Sequence, residues 1–216
     1  MKNYLVKTAL AGDYGSGKSS ILLRYTDNTF TDDSCPTIGV DFRLKHVYID
    51  DVDFKLQLWD TAGQEQYISI TKAYFRSVYL FLIVFDITNR QSFINLHKWI
   101  KMIKENTDQQ QKLVLIGNCI DLKYKREVSE DEALIFANYY KIKYYEVSAK
   151  KNINIDYMFN DILKDVLANI DNITLEGGII ERKSIPIVYN NSESVPSTKI
   201  KLIDTDSFGK KCCNNF

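Results

Sequence analysis

Neither sign of charge is in excess in this chain of 216 residues. Its 28 basic and 28 acidic side chains cancel, which argues against a protein that holds nucleic acid through bulk charge. An acidic tail is absent as well. Cysteine is sparse: Cys35 and Cys119 stand far apart, and Cys212 and Cys213 are adjacent near the carboxyl end. Neither a disulfide framework nor the spacing of metal ligands is visible, and the expected setting is reducing and cytosolic. No stretch approaches the roughly 18 apolar residues of a membrane span, and the first residues lead straight into a strand pattern without the charged and apolar regions of a signal peptide. Membrane attachment, if any, is therefore expected to be peripheral or covalent. There is no internal repeat.

What is present is an alternation of apolar runs with helical spacing, as a parallel sheet with crossover helices requires. Tyr4 to Ala11 reads as a buried strand. Val40 to Ile49 and Val52 to Trp59 flank Asp50-Asp51, a hairpin that puts one antiparallel strand at the sheet edge. Leu80 to Phe85, Leu113 to Ile116 and Tyr144 to Val147 read as further strands. Helices are expected over Ser92 to Lys104, with Phe93, Leu96, Ile100 and Ile103 on one face, and over Glu130 to Tyr140. A last amphipathic helix carries Ile155, Phe159, Ile162, Val166 and Ile170. Past Leu175 the periodicity dissolves into Gly177-Gly178, Pro186, Pro196 and a Ser/Asn-rich stretch. The expected organisation is a domain over 1–175 and a flexible tail over 176–216.

Between the first strand and the first helix lies Gly12-Asp13-Tyr14-Gly15-Ser16-Gly17-Lys18-Ser19, a phosphate-loop pattern in the strand and helix context that gives it meaning. Its glycines let backbone N–H groups converge on phosphate oxygens, and the helix N-terminus adds a favourable dipole. Gly15, Ser16, Gly17, Lys18, Ser19 and Ser20 are the expected phosphate-binding residues. Lys18 supplies a point charge and the Ser19 hydroxyl a ligand for Mg²⁺. Trp59-Asp60-Thr61-Ala62-Gly63-Gln64-Glu65 follows the hairpin: Asp60 can hold Mg²⁺ through water, Gly63 can approach a γ-phosphate, and Gln64 can orient an attacking water. Asn118-Cys119-Ile120-Asp121 emerges from the end of a buried strand. The Asp121 carboxylate can take two hydrogen bonds from guanine that adenine cannot supply. In Ser148-Ala149-Lys150 a backbone N–H can meet the guanine carbonyl.

Together these residues resemble a Rab-family small GTPase of the Ras superfamily. The runs Thr37-Ile38-Gly39-Val40-Asp41-Phe42, Trp59 to Glu65 and Phe85-Asp86-Ile87-Thr88 carry the resemblance. It implies a doubly wound P-loop GTPase domain with a six-stranded, mostly parallel sheet, one antiparallel edge strand and a flexible C-terminal tail. It implies hydrolysis of GTP to GDP and phosphate in service of vesicle-mediated traffic, slow without an activating protein. By that resemblance Thr37 ligates Mg²⁺, Phe30 packs on the guanine, and Phe42, Trp59 and Tyr74 present an aromatic triad to effectors. Implied partners are an exchange factor, a GTPase-activating protein, the Rab escort protein, a GDP-dissociation inhibitor and effectors.

Cys212-Cys213-Asn214-Asn215-Phe216 resembles the termini on which Rab proteins carry geranylgeranyl groups, although Asn214 and Asn215 are not the aliphatic residues of a C-a-a-X box. One lipid anchors marginally, and Lys199, Lys201, Lys210 and Lys211 form only a thin basic patch, so two lipids are expected. Ile200 and Leu202 look like the tail motif held by the escort protein. The implied location is the cytosolic face of an intracellular membrane, with a cytosolic pool. Three positions depart from the family pattern. Cys119 replaces a lysine that ties the base loop to the phosphate loop, Tyr14 replaces a small residue, and Gln66 replaces an arginine. The rival readings are a nucleotide-locked scaffold, favoured by Tyr14 and Cys119, and a P-loop kinase or ATPase, opposed by Asp121.

Overall fold

Asp50 and Asp51 both adopt positive φ, 47° and 62°, the pairing that a two-residue hairpin needs to match the twist of its strands. That turn joins β2 (Val40–Ile49) to β3 (Val52–Thr61), paired antiparallel from Val40 opposite Thr61 to Ile49 opposite Val52. A computed structural model of the chain describes residues 2–32, 36–64, 67–76, 78–107, 111–169 and 180–181. All of them fall within one compact unit, Met1–Ser184.

Four further strands run parallel to β3: β1 (Lys2–Ala11), β4 (Leu80–Asp86), β5 (Lys112–Asn118) and β6 (Lys143–Glu146). The order β2-β3-β1-β4-β5-β6 leads the chain from β1 first to one side of the sheet and then, after β3, to the other. A crevice therefore opens at the carboxyl end of β1, where ligands of open α/β sheets bind. The strand pattern sorts the core. Leu80, Leu82 and Val84 face α1 (Lys18–Asp27) and α6 (Ile155–Ala168), while Phe81, Ile83 and Phe85 face the opposite layer with Phe93, Trp99 and Phe136. Burial on both faces explains why β4 reads as a continuous apolar run.

The remaining helices are α2 (Ile68–Phe75), α3 (Arg90–Ile94), α4 (Leu96–Glu105) and α5 (Glu130–Tyr140). Asn89 caps α3 by accepting from the N–H groups of Gln91 and Ser92, and Ser129 caps α5 by accepting from Glu132 N. One helix was expected over Ser92 to Lys104. The structure divides it at Asn95, whose carbonyl accepts from both Lys98 N and Trp99 N and tightens the turn locally. Short α2 gave no periodic signal, having β-branched residues and no side-chain cap. A 3₁₀ segment over Ile120–Lys125 also escaped the pattern. So did β7 (Ile180–Glu181), which lies within the stretch read as tail and pairs antiparallel with Leu5 and Tyr4 of β1. Ile170, Gln66, Cys35 and the carboxyl-terminal Cys212 and Cys213 lie outside the described residues.

Candidate nucleotide-binding site

The phosphate loop follows β1 as the sequence suggested, and its glycines are there for space as much as for conformation. Gly12 lies so close to β4 that a Cβ would sit 2.1 Å from the Val84 carbonyl oxygen, and one on Gly17 would sit 2.1 Å from Asn118 Nδ2. Gly15 and Gly17 take φ of 80° and 84°, a region L side chains rarely adopt. Within the loop, Ser16 donates from both its N–H and its hydroxyl to the Asp13 carbonyl, at 3.3 and 2.9 Å. Lys18 is 5% exposed, and its ammonium donates to the carbonyls of Gly12 (2.8 Å) and Asp13 (2.7 Å). Burial lowers its pKa from the ordinary lysine value to about 8, against the opposing pull of Asp60 and Asp13.

Three oxygen-bearing side chains meet beside this ammonium. Ser19 donates to Asp60 Oδ2 at 2.5 Å, and Thr37 lies 3.0 Å from Ser19 Oγ and 3.3 Å from the same carboxylate oxygen. Asp60 is 2% exposed, and its Oδ1 has no hydrogen-bond partner among the described residues. Desolvation raises its pKa, offset by the Ser19 bond, Lys18 and Thr37. Two hydroxyls around a buried carboxylate with an unpartnered oxygen form a hard donor set, suited to a small divalent cation that keeps several waters. Mg²⁺ fits these residues.

Gly63 lies directly on the phosphate loop. A Cβ there would stand 2.4 to 2.6 Å from backbone atoms of Gly12, Asp13 and Tyr14, so only glycine lets this segment close on the loop. Gln64 follows, half-buried, and its carbonyl accepts from Tyr67 N.

The two loops expected to read the base come together, joined through Asn118, Asp121 and Ser148. Asn118 donates from Nδ2 to the Ser16 carbonyl at 3.1 Å and so ties the base loop to the phosphate loop, while its Oδ1 accepts from Ala149 N at 3.4 Å. Ser148 is fully buried and does not line the cavity. Its hydroxyl donates to Asp121 Oδ1 at 2.6 Å, and its oxygen accepts from Lys151 N. This bond fixes the direction of the Asp121 carboxylate. Arg24, which the sequence did not single out, donates to the carbonyls of Ala149 and Lys150 and pins that loop to the end of α1. A cavity of about 290 Å³ joins these parts, with Gly15, Lys18, Phe30, Thr37, Asp121 and Lys150 in its lining. Lys150 pairs with Asp32 at 2.6 Å across its mouth and lies 5.8 Å from the centre of the Phe30 ring. Ser16 is buried behind the lining, and Asp60 faces an adjoining cavity that shares Ser19 and Thr37.

The two departures within the described residues also face this cavity. Tyr14 is 56% exposed at its edge. Cys119 takes φ of 70°, and its thiol is pushed up to about 12 by burial, with Asp86 and Asp121 adding to the effect. Away from the cavity, the Trp59 ring packs at a tilt against Phe42 on one side and Tyr74 on the other, with ring centres 4.7 and 5.2 Å apart. They come from β2, β3 and α2, so the triad exists only once the hairpin and α2 are packed.

Residues 7–168 match a family model described as the Ras family. The chain is 42% identical to GTP-binding protein ypt3 of Schizosaccharomyces pombe over 176 residues, 82% of each chain. It is 42% identical to Ras-related protein RABE1d of Arabidopsis thaliana over 76% of each, and 36% identical to Ras-related protein Rab-13 of Canis lupus familiaris over 96% of each. A phosphate loop, a hard-oxygen cluster and a carboxylate aimed into the cavity, in the fold these relatives imply, lead to one conclusion: the chain belongs to the Ras family of small GTPases, in its Rab branch.

Proposed function

We propose that this Rab-type GTPase, which binds guanine nucleotide, hydrolyses GTP and regulates vesicle-mediated traffic, does so through the cluster around Lys18 and Asp60. The observation that carries this assignment is the buried Asp60 carboxylate, with Ser19 and Thr37 on one oxygen and no hydrogen-bond partner among the described residues on the other. Ser19, Thr37 and, through water, Asp60 would hold Mg²⁺, which supplies neutralisation of charge on the β- and γ-phosphates.

Lys18, held in place by the Gly12 and Asp13 carbonyls, gives the nucleotide its ammonium. The N–H groups of Gly15 to Ser20 bind the phosphates, and Gly63 N–H meets the γ-phosphate. Gln64 orients a water for in-line attack on the γ-phosphorus. The bond to the β–γ bridging oxygen breaks, and GDP and phosphate result. Asp121, aimed by Ser148, accepts from guanine N1–H and the exocyclic amine, Ala149 and Lys150 face the base carbonyl, Asn118 holds the two loops together, and Phe30 packs on the base.

Phe42, Trp59 and Tyr74 would serve effectors, and the residues over 176–216 would carry geranylgeranyl groups on Cys212 and Cys213 that hold the protein on the cytosolic face of an intracellular membrane. No helix among the described residues is long and apolar enough to cross a membrane, which suits a covalent anchor. The regulators follow the family: exchange factor, activating protein, escort protein and GDP-dissociation inhibitor.

The test is GTP against ATP binding, followed by single-turnover phosphate release with Mg²⁺ for the parent and Gln64→Leu. Guanine preference, with release slowed about 100-fold in the variant, is expected from loss of one transition-state donor. Equal rates would remove Gln64 from catalysis.

A further inference from the structure

Asp13 is the one residue of the phosphate loop that brings a negative charge to a place built for phosphate, and its carboxylate is doubly engaged. Oδ2 accepts from Asn95 Nδ2 at 2.6 Å, and Oδ1 accepts from the Trp99 indole N–H at 2.7 Å. Both donors come from the layer behind the loop, Asn95 at the junction of α3 and α4 and Trp99 one turn further along α4. Trp99 is 4% exposed. Tyr14, Gly15 and Gly17 line the nucleotide cavity while Asp13 does not. Its carbonyl faces the other way and accepts from Lys18 and Ser16.

We infer that Asn95 and Trp99 form a clamp that turns the Asp13 carboxylate away from the phosphates and thereby positions the Asp13 carbonyl on Lys18. This rests on the nucleotide-site reading above and adds two positioning residues to it. Both donors are neutral, so they orient the carboxylate without cancelling its charge. Released, that charge can swing towards the phosphate site and compete with the nucleotide for the Lys18 ammonium. Retention of nucleotide then depends on a helix junction that touches no part of the nucleotide cavity. The division of the helix at Asn95 gains a purpose, since it places the Asn95 amide on the loop.

A release experiment on the full chain separates a clamp from packing. Dissociation of a fluorescent GDP analogue in the presence of Mg²⁺ is measured for the parent, Trp99→Phe, Asn95→Ala, Asp13→Ala and the two doubles that contain Asp13→Ala. Phenylalanine keeps an aromatic ring but loses the indole N–H together with the volume of the second ring, so the Asp13→Ala background is what separates the bond from the packing. Each donor variant alone is expected to release GDP about 10-fold faster, the lower end for a hydrogen bond to a charged group. In the Asp13→Ala background the same substitutions should shift release by less than about 2-fold, because no carboxylate remains to be freed. A donor effect of equal size in both backgrounds would show packing and overturn the clamp, as would no effect in either. If Trp99→Phe does not fold, Asn95→Ala completes the cycle by itself. A parent that releases the GDP analogue no more slowly than its ADP counterpart would overturn the nucleotide reading, and the clamp with it.

Discussion

The phosphate side and the base side of the cavity are built by different means. The phosphate side is built from the chain's own backbone: glycines at positive φ, carbonyls on Lys18, and contacts so close that Gly12, Gly17 and Gly63 have no room for a Cβ. On the base side the surface is set by side chains that hold one another. Ser148 aims Asp121, Asn118 bridges to Ala149 and to the phosphate loop, and Arg24 pins the loop from α1. A backbone cradle recognises any phosphate of the right shape. In the function proposed above, a braced carboxylate reads one edge of one base.

If the division is sound, damage on the base side should change which nucleotide binds, and damage on the phosphate side should weaken all nucleotides alike. The largest effect is expected for Asp121→Asn, since xanthine offers a carbonyl where guanine offers the amine. The preference for GTP over XTP should fall by about 10⁴-fold, the scale on which a site built for a hydrogen bond rejects a ligand lacking it. Competition binding of the two nucleotides measures it, and an unchanged preference would refute the assignment.

Lys18→Ala comes next. It should cost GTP and XTP equally, by about 2 to 5 kcal/mol as for truncating one partner of a buried charge pair. Isothermal titration of each nucleotide decides whether the losses match.

The Lys18 ammonium also sets a pH dependence. Its value of about 8 in the free protein means that the proton is lost above pH 8 unless bound phosphates hold it. Affinity for GDP should therefore be flat below pH 8 and fall about tenfold per unit just above it, with the slope absent in Lys18→Met. Stability of the nucleotide-free protein should run the other way. Between about 8 and the ordinary lysine value the unfolded chain binds the extra proton, so stability rises with pH across that window.

The smallest effect sharpens the comparison most. Cys119 stands where a lysine would tie base loop to phosphate loop, and its short thiol cannot span that distance. Cys119→Lys should slow GDP release by about 10 to 150-fold if the added charge-assisted bond forms. Stopped-flow release from both forms measures it. Equal rates would mean that the Asn118 bridge to Ser16 already supplies the connection.

Much of the phosphate side was legible because its chemistry is local. Glycine spacing, a lysine and a hydroxyl within eight residues specify a backbone shape, and the strands around them announce themselves by burial. The division of the helix at Asn95 was not legible, because the apolar face of Phe93, Leu96, Ile100 and Ile103 runs through it unbroken. Nor were α2 and β7, whose few residues carry no period; β7 pairs through backbone groups that every residue possesses. Ser148 could be named from its motif, but not its task. Only the meeting of two loops 27 residues apart puts its hydroxyl on Asp121.

By itself the sequence determined the family, the succession of the strands β1 to β6 and the position of the phosphate loop. Each of these is written in residue type and short spacing, to which backbone conformation and burial respond directly. The tertiary structure decided which oxygens gather around Asp60, which side chains brace the base loop, and where the Asp13 charge points. Those outcomes depend on distances between residues 18 to 126 positions apart, and packing of the sheet and its two helical layers, rather than any local preference, sets such distances.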